Sequence, residues 1–205
     1  IMGLISAGST IFDAGSMSAG FAGNMTFIKK LTASNSANLS FVDGASGVVL
    51  DNTYKEYMFT YNNIHAETDE QFLTFQGSIN SGTGYGITTT SNLINAHHNE
   101  ADNNTNLLYY GGRDNEQSDA FIYLQAWEMG IDSDQCCSGT LRIFDIANTA
   151  QVKHFMNGCN ICHPGDFQAN TYSSGYLNTT SAVDAFQFKM TSGNFNGDIC
   201  LYGIA

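Results

Sequence analysis

The sequence predicts an all-β protein: an antiparallel β-sandwich, jelly-roll-like, spanning residues 25–205 behind an extended N-terminal arm of residues 1–24. Three observations predict it. From Thr26 onwards, short apolar runs alternate with turn clusters such as DGASG, NSGTGYG, ADNNTN and DSDQCCSG, the spacing of many short strands. Pro164 is the single proline, so Asn, Asp and Gly carry the turns. No segment has the 3.6-residue apolar period of an amphipathic helix.

The elements follow in order. Residues 1–24 are rich in Gly, Ser and Ala, but Leu4, Ile5, Ile11, Phe12 and Phe21 recur too often for a solvated linker. They read as an arm that borrows its core from elsewhere. Strands are expected at Thr26–Ala33, Ala37–Val42, Lys55–Ile64, Gln71–Gln76, Tyr85–Thr90, Leu93–His97 and Leu107–Tyr110. Further strands are expected at Phe121–Met129, Thr140–Ile146, Val152–Met156, Tyr172–Leu177, Ala185–Thr191 and Ile199–Ile204. The last two flank Ser192-Gly193-Asn194 and Asn196-Gly197, which reads as a C-terminal β-hairpin. A chain ending inside that hairpin is expected to tuck its C-terminus into a sheet, with no tail, anchor or sorting signal.

Composition narrows the function. Of 205 residues, 42% are hydrophobic and only 13% charged, with 7 basic against 19 acidic for a net charge of −12. Nucleic-acid binding by phosphate neutralisation needs clustered Lys and Arg, and an anionic membrane would repel this chain. The charge suits solubility, a divalent cation or a basic partner. The five cysteines are an odd number, so at least one thiol stays free and folding in a reducing cytoplasm is the simpler reading. No apolar run approaches the roughly 20 residues that cross a bilayer, and residues 1–20 lack the basic and continuous apolar regions of a signal peptide.

Cys159-Asn-Ile-Cys162-His163 has the CxxCH spacing of covalent haem attachment, with Met156, Met190 and His154 as possible distal ligands. The same Cys159, Cys162 and His163 with His154 make a possible zinc set. The preferred reading is a strand-connecting loop with reduced thiols, before Pro164-Gly165. His97-His98-Asn99-Glu100 with Asp102 invites a metal or acid–base role, but strand alternation sends adjacent histidines to opposite faces. Asp132 and Asp134, and Asp114 with Glu116, lie in acidic loops that offer carboxylate and carbonyl oxygens to Ca²⁺ but lack the EF-hand pattern, and Asp69-Glu70 reads as solvated. Tyr85, Tyr109, Tyr110, Tyr123 and Trp127 are candidate sugar-stacking aromatics, against the ordinary expectation that sandwich aromatics are core. Cys200 reads as a core-facing or sheet-edge thiol. No GxSxG elbow, P-loop, HExxH or dinucleotide fingerprint occurs, so the expectation is a non-enzyme with no catalytic residue and no cofactor, a structural divalent cation aside.

Five blocks then stand in order: IKKLTASNSANLSF (28–41), YKEYMFTYNNIHAETD (54–69), AHHNEA (96–101), GTLRIFDIANTAQVKHF (139–155) and FKMTSGNFNGDICLYGI (188–204). Together they resemble a family of virion structural proteins from marine tailed phages, including cyanophages. The likeness covers residues 2–205. It implies a subunit assembled in the host cytoplasm and carried on the virion as a tail or head fibre, a knob or a capsid decoration (cement) protein. The cysteines depart from it: CNICH and Cys136-Cys137 stand where ordinary polar residues belong.

The expected function is therefore a non-enzymatic virion protein, docked by its arm to other virion proteins or sister subunits. A homo-oligomer, trimer first, would display loops toward host-surface glycans. The alternatives are a capsid cement protein, an exported haem or metal protein using CxxCH, and a free-standing sugar-binding module.

Overall fold

In the computed structural model, residues 24–205 are described throughout, together with the backbone of three short strands before them, β1 (Leu4–Ser6), β2 (Ser9–Asp13) and β3 (Ser16–Met17). These three form a small antiparallel sheet in the order β1-β2-β3. The rest of the expected arm lies outside the described residues.

Thirteen further strands follow: β4 (Met25–Ser36), β5 (Leu39–Val42), β6 (Glu56–Ala66), β7 (Leu73–Ser78), β8 (Thr89–Asn99), β9 (Thr105–Tyr109) and β10 (Glu116–Ser118). After them come β11 (Ile122–Tyr123), β12 (Cys137–Phe144), β13 (Lys153–His163), β14 (Phe167–Leu177), β15 (Ala185–Met190) and β16 (Phe195–Ile204). They build two antiparallel sheets. The large one has nine strands, ordered β10-β8-β14-β13-β12-β6-β16-β4 with β9 also paired to β8; the small one is β11-β7-β15-β5. The chain is an all-β sandwich.

Period-two patterning explains the stacking. In β6, Tyr57, Phe59 and Tyr61 are fully buried while Met58 and Thr60 face the other way. In β15, Phe186 and Phe188 point in. Edge-to-face and tilted rings knit the layers: Phe59 lies 5.1 Å from Phe188 and 5.2 Å from Phe41, and Phe75 lies 5.3 Å from Phe155. The small sheet's far side is also covered. Gln76 is fully buried there, and its Nε2 donates to the carbonyls of Ala120 at 2.9 Å and of Ile87 and Asp119 at 3.2 Å. Loops thus cap the small sheet, leaving the large sheet's outer face as the open one.

Four expectations are corrected. The C-terminal pair is not a hairpin: β15 lies between β7 and β5 in the small sheet, and β16 between β6 and β4 in the large one. The turn at Gly193 (φ +73) carries the chain across the sandwich, and a Cβ there would fall 2.1 Å from Thr68 Oγ1. Asn196-Gly197 is no turn. It is a bulge inside β16, where the pairing shifts and Gly197 takes φ +125. Of the expected strand Tyr85–Thr90 only Thr89 and Thr90 are strand, and they run on without a break through Leu93–His97 as β8, because Ser91 and Asn92 pair with Gly175 and Ser174. Phe121–Met129 keeps only Ile122–Tyr123 as strand. Beyond it the backbone still bonds at Leu124 and Met129, and between these side chains take over: Thr171 Oγ1 accepts the Ala126 N–H, and Gln125 Nε2 donates to the carbonyls of Gln71 and Trp127. Lastly, β13 runs on through CNICH to His163, so the thiols expected in a loop are strand residues.

Candidate functional site

The CxxCH segment shows what that extension does. Cys159 and Ile161 are buried toward the core, whereas Asn160 and Cys162 face the other side. Alternation therefore splits the two thiols between the sheet's faces. His154 sits at the opposite end of β13, nine residues from His163, about 30 Å at strand rise. The candidate set Cys159, Cys162, His163 and His154 is not brought together, and neither haem attachment nor a four-ligand zinc centre is assembled by it.

The histidines instead meet across strands. His163 stacks on Phe167 with ring centroids 3.9 Å apart, and His97 lies 5.4 Å from the same ring. Trp127 abuts Tyr110, Phe167, His163 and His97 at 5.4–5.9 Å. Glu128 Oε1 is 3.4 Å from His163 Nε2. Burial pulls the His163 pKa down against the opposing pull of Glu128 and Glu70, with His97 adding to the depression. Two separate sequence candidates thus share one aromatic cluster. The signal was available: Pro164-Gly165 closes the β13–β14 hairpin and sets His163 opposite Phe167. His98 points away, as alternation requires, and its Nε2 lies 3.0 Å from Asp102.

Four of the five cysteines gather at this sheet end. Cys137 and Cys159 are sealed in the core at 0% and 1% exposure. The Cys137 thiol is pushed up by its hydrogen bond with Cys159 and then by burial. Cys136 and Cys162 are half-buried outside. Burial, followed by Asp134 and Glu100, raises the Cys162 thiol. Cys200 is neither core-facing nor at an edge: it sits on the outer face of β16, an interior strand, between buried Ile199 and Leu201.

The other candidates scatter. Asp132 serves a turn, its carbonyl accepting from Gln135 N–H at 2.9 Å and its carboxylate from Gln135 Nε2 at 3.2 Å. Asp114 accepts from Tyr109 Oη, a bond that raises the Tyr109 pKa. Glu116 opens β10, and the Glu70 N–H is held by Asp69 Oδ1 at 3.0 Å. Asp134 lies in the turn before Gln135, near enough to raise the Cys162 thiol. Tyr123 packs on Phe72 beneath the Arg113 guanidinium. Tyr85 lines an open cleft of about 500 Å³ with Ile79, Asn80, Asn178 and Thr179.

What sequence reasoning missed is the large sheet's outer face. Of the nine large hydrophobic side chains exposed among the described residues, seven stand on it: Met25, Phe27, Ile94, Leu107, Tyr109, Met156 and Tyr172. Cross-strand register aligns them into rows. Phe27, Tyr202, Met58, Arg142 and Met156 form one. Thr140, Gly158, Tyr172, Ile94 and Tyr109 form the next, with Tyr172 lying over Gly158. Charge is nearly absent from it. Fifteen of the 19 acidic residues lie outside strands. Inside the β10 rim this face carries Glu56 and Asp198, ion-paired to Arg142 and Lys30. Each residue of such a row looks unremarkable alone, because only pairing across strands makes it contiguous.

No protein-family model and no curated protein matches this chain. A crystal structure at 2.40 Å of a structural-genomics protein of unknown function from Bacteroides ovatus is similar over 78% of this chain and 99% of that one, at 7% identity and a TM-score of 0.28. So remote a likeness carries no functional argument.

Proposed function

We propose that this chain is a non-enzymatic structural protein of a tailed-phage particle, a fibre, appendage or decoration subunit that works as a homo-oligomer. The observation that supports its association with copies of itself is the outer face of the large sheet, where exposed apolar rows stand among charges that are paired. A monomer of net charge −12 repels its own copies, except where its charges are absent or already paired. A face eight or nine strands wide measures about 35 Å by 30 Å, roughly 1,000 Å². A stable interface needs about 800 Å² per partner, which this face can supply, and exposed apolar rows within a polar surround are what marks an interaction surface. A second copy of this chain, offering the same apolar rows with their charges already paired, fits the face. The acidic loops at the sandwich ends then stay in solvent, where repeated copies would meet a host surface.

Sedimentation equilibrium of the full chain from about 1 to 100 μM tests the reading. We expect an oligomer whose dissociation constant rises at least about tenfold in Met156→Glu and Tyr172→Glu. Ile79→Glu, an exposed loop substitution, should leave it unchanged. A monomer across the range, or an oligomer indifferent to the face substitutions, overturns it. Immunolabelling of particles then separates head decoration from tail fibre. Glycan attachment would fall to the Tyr85 cleft, whose lining combines Ile79, Tyr85 and Ile87 with Asn80, Asn178 and Thr179, a mix that suits a sugar ring. Loss of glycan-array binding in Tyr85→Ala, with mass unchanged, is the result expected of that role.

A further inference from the structure

Cys137, at the start of β12, with Cys136 just before it, faces Cys159 and Cys162 on the neighbouring strand β13, and the register sorts the four into two pairs. Cys137 stands opposite Ile161, so one step toward the sheet end Cys136 stands opposite Cys162. There the Cys162 N–H donates to the Cys136 carbonyl at 3.1 Å. Directly opposed residues of an antiparallel ladder project to the same face. Such a hydrogen-bonded pair has Cα atoms about 5.5 Å apart, inside the roughly 4.4–6.8 Å that a disulfide spans. The Cβ atoms of hydrogen-bonded pairs lie toward the far end of about 4.5–5.5 Å, against about 3.8 Å in a disulfide. The sheet end must therefore close by about 1–2 Å.

We propose that Cys136 and Cys162 are a modification site: a cross-strand disulfide that forms once the folded protein leaves a reducing compartment. Both are half-buried and reach solvent, whereas Cys137 and Cys159 are sealed in the core and Cys200 stands on β16 across the sheet. The oxidant is a small disulfide such as oxidised glutathione. One cysteine thiolate attacks it, forms a mixed disulfide and expels one glutathione thiolate. The second cysteine thiolate attacks the protein sulfur of that mixed disulfide and expels the other glutathione. Two thiol protons pass to the two leaving thiolates, and two electrons reduce the glutathione disulfide. Burial first, then the negative charge of Asp134, Glu100 and Asp166, opposes ionisation of Cys162, so closure is slow at neutral pH and quickens in alkali. The bond ties the Asp132–Gln135 turn to the end of β13 and closes a loop of about 25 residues. It adds a staple after folding is complete, and it stands apart from the oligomer reading because it involves one chain.

The test uses the full reduced chain, incubated with oxidised glutathione at about pH 8.5, quenched by alkylation, and followed by intact mass and fragment-resolved peptide mapping. The expected product has lost two hydrogens, links Cys136 to Cys162, and melts about 5–10 °C higher. Dithiothreitol reverses it. Cys162→Ser and Cys136→Ser each abolish it and melt like the reduced parent. A stable glutathione adduct that never closes, a Cys136–Cys137 or Cys159–Cys162 bond, or a cross-link surviving in Cys162→Ser overturns the proposal. Sedimentation of the same samples shows separately whether association holds.

Discussion

Tyr61→Phe deletes one oxygen from a fully buried site and tests whether a polar network locks β6, β12 and β13 together. Tyr61 Oη donates to Asn157 Oδ1 at 2.6 Å, and the Gly158 carbonyl is a second acceptor at 3.3 Å. Asn157 Nδ2 donates to the Leu124 carbonyl at 2.9 Å and to Ser173 Oγ at 3.1 Å. One side chain thus holds the irregular segment after β11 against β14. Burial raises the Tyr61 pKa well above its ordinary value, so the hydroxyl remains a donor at any working pH. Phenylalanine keeps the ring but leaves Asn157 Oδ1 without its donor in a dry site, which costs about 1–2 kcal/mol and lowers Tm by about 2–8 °C. Asn157→Ala leaves the Tyr61 hydroxyl only its longer bond to the Gly158 carbonyl, strands the Leu124 carbonyl and opens a cavity, for about 3 kcal/mol. Because the two share one bond, the double variant should fall short of the sum by at least about 0.5 kcal/mol. Urea unfolding with unchanged m-values measures all four corners of the cycle. Strict additivity, or a Tyr61→Phe variant as stable as the parent, refutes the network's role.

Other outcomes follow from the same geometry. Because the His163 pKa is depressed in the fold, the unfolded chain takes up its proton first. Stability is therefore lost as pH falls below about 6.5 and levels off below the folded pKa. In His163→Phe, which keeps the stack on Phe167, urea midpoints from about pH 7.5 to 5 should decline less steeply. Gly203→Ala would set a Cβ 2.3 Å from the Tyr54 ring that covers it. It should destabilise by about 1–3 kcal/mol, and pairing it with Tyr54→Ala should recover part of the loss. Phe59→Ala removes the ring shared by Phe41, Phe186 and Phe188. Its cost of about 3–5 kcal/mol should show as a large drop in the denaturation midpoint.

Alternation in Tyr57–Tyr61, Leu141–Phe144 and Phe186–Met190 is local and readable by eye, since a strand's period of two follows from the backbone of each residue. Those segments are strands in the structure. So is the segregation of acidic residues into turn compositions, which leaves only four of the 19 in strands among the described residues. The sequence by itself therefore determined an all-β fold and the inward sets of most strands. Partners are a different matter. Whether β15 pairs with β16 depends on hydrogen bonds to β7, β5, β6 and β4, most of them far along the chain, and Asn196-Gly197 has the same composition as a turn or as a bulge. Tertiary structure alone decided that the two C-terminal strands close opposite sheets. It decided that CNICH presents one thiol inward and one outward, each beside a cysteine more than twenty residues earlier. It also decided that scattered Met, Tyr and Phe residues make one continuous face. The physical reason is shared: strand formation is written within a few neighbouring residues, whereas register and sheet membership are set by contacts between distant ones.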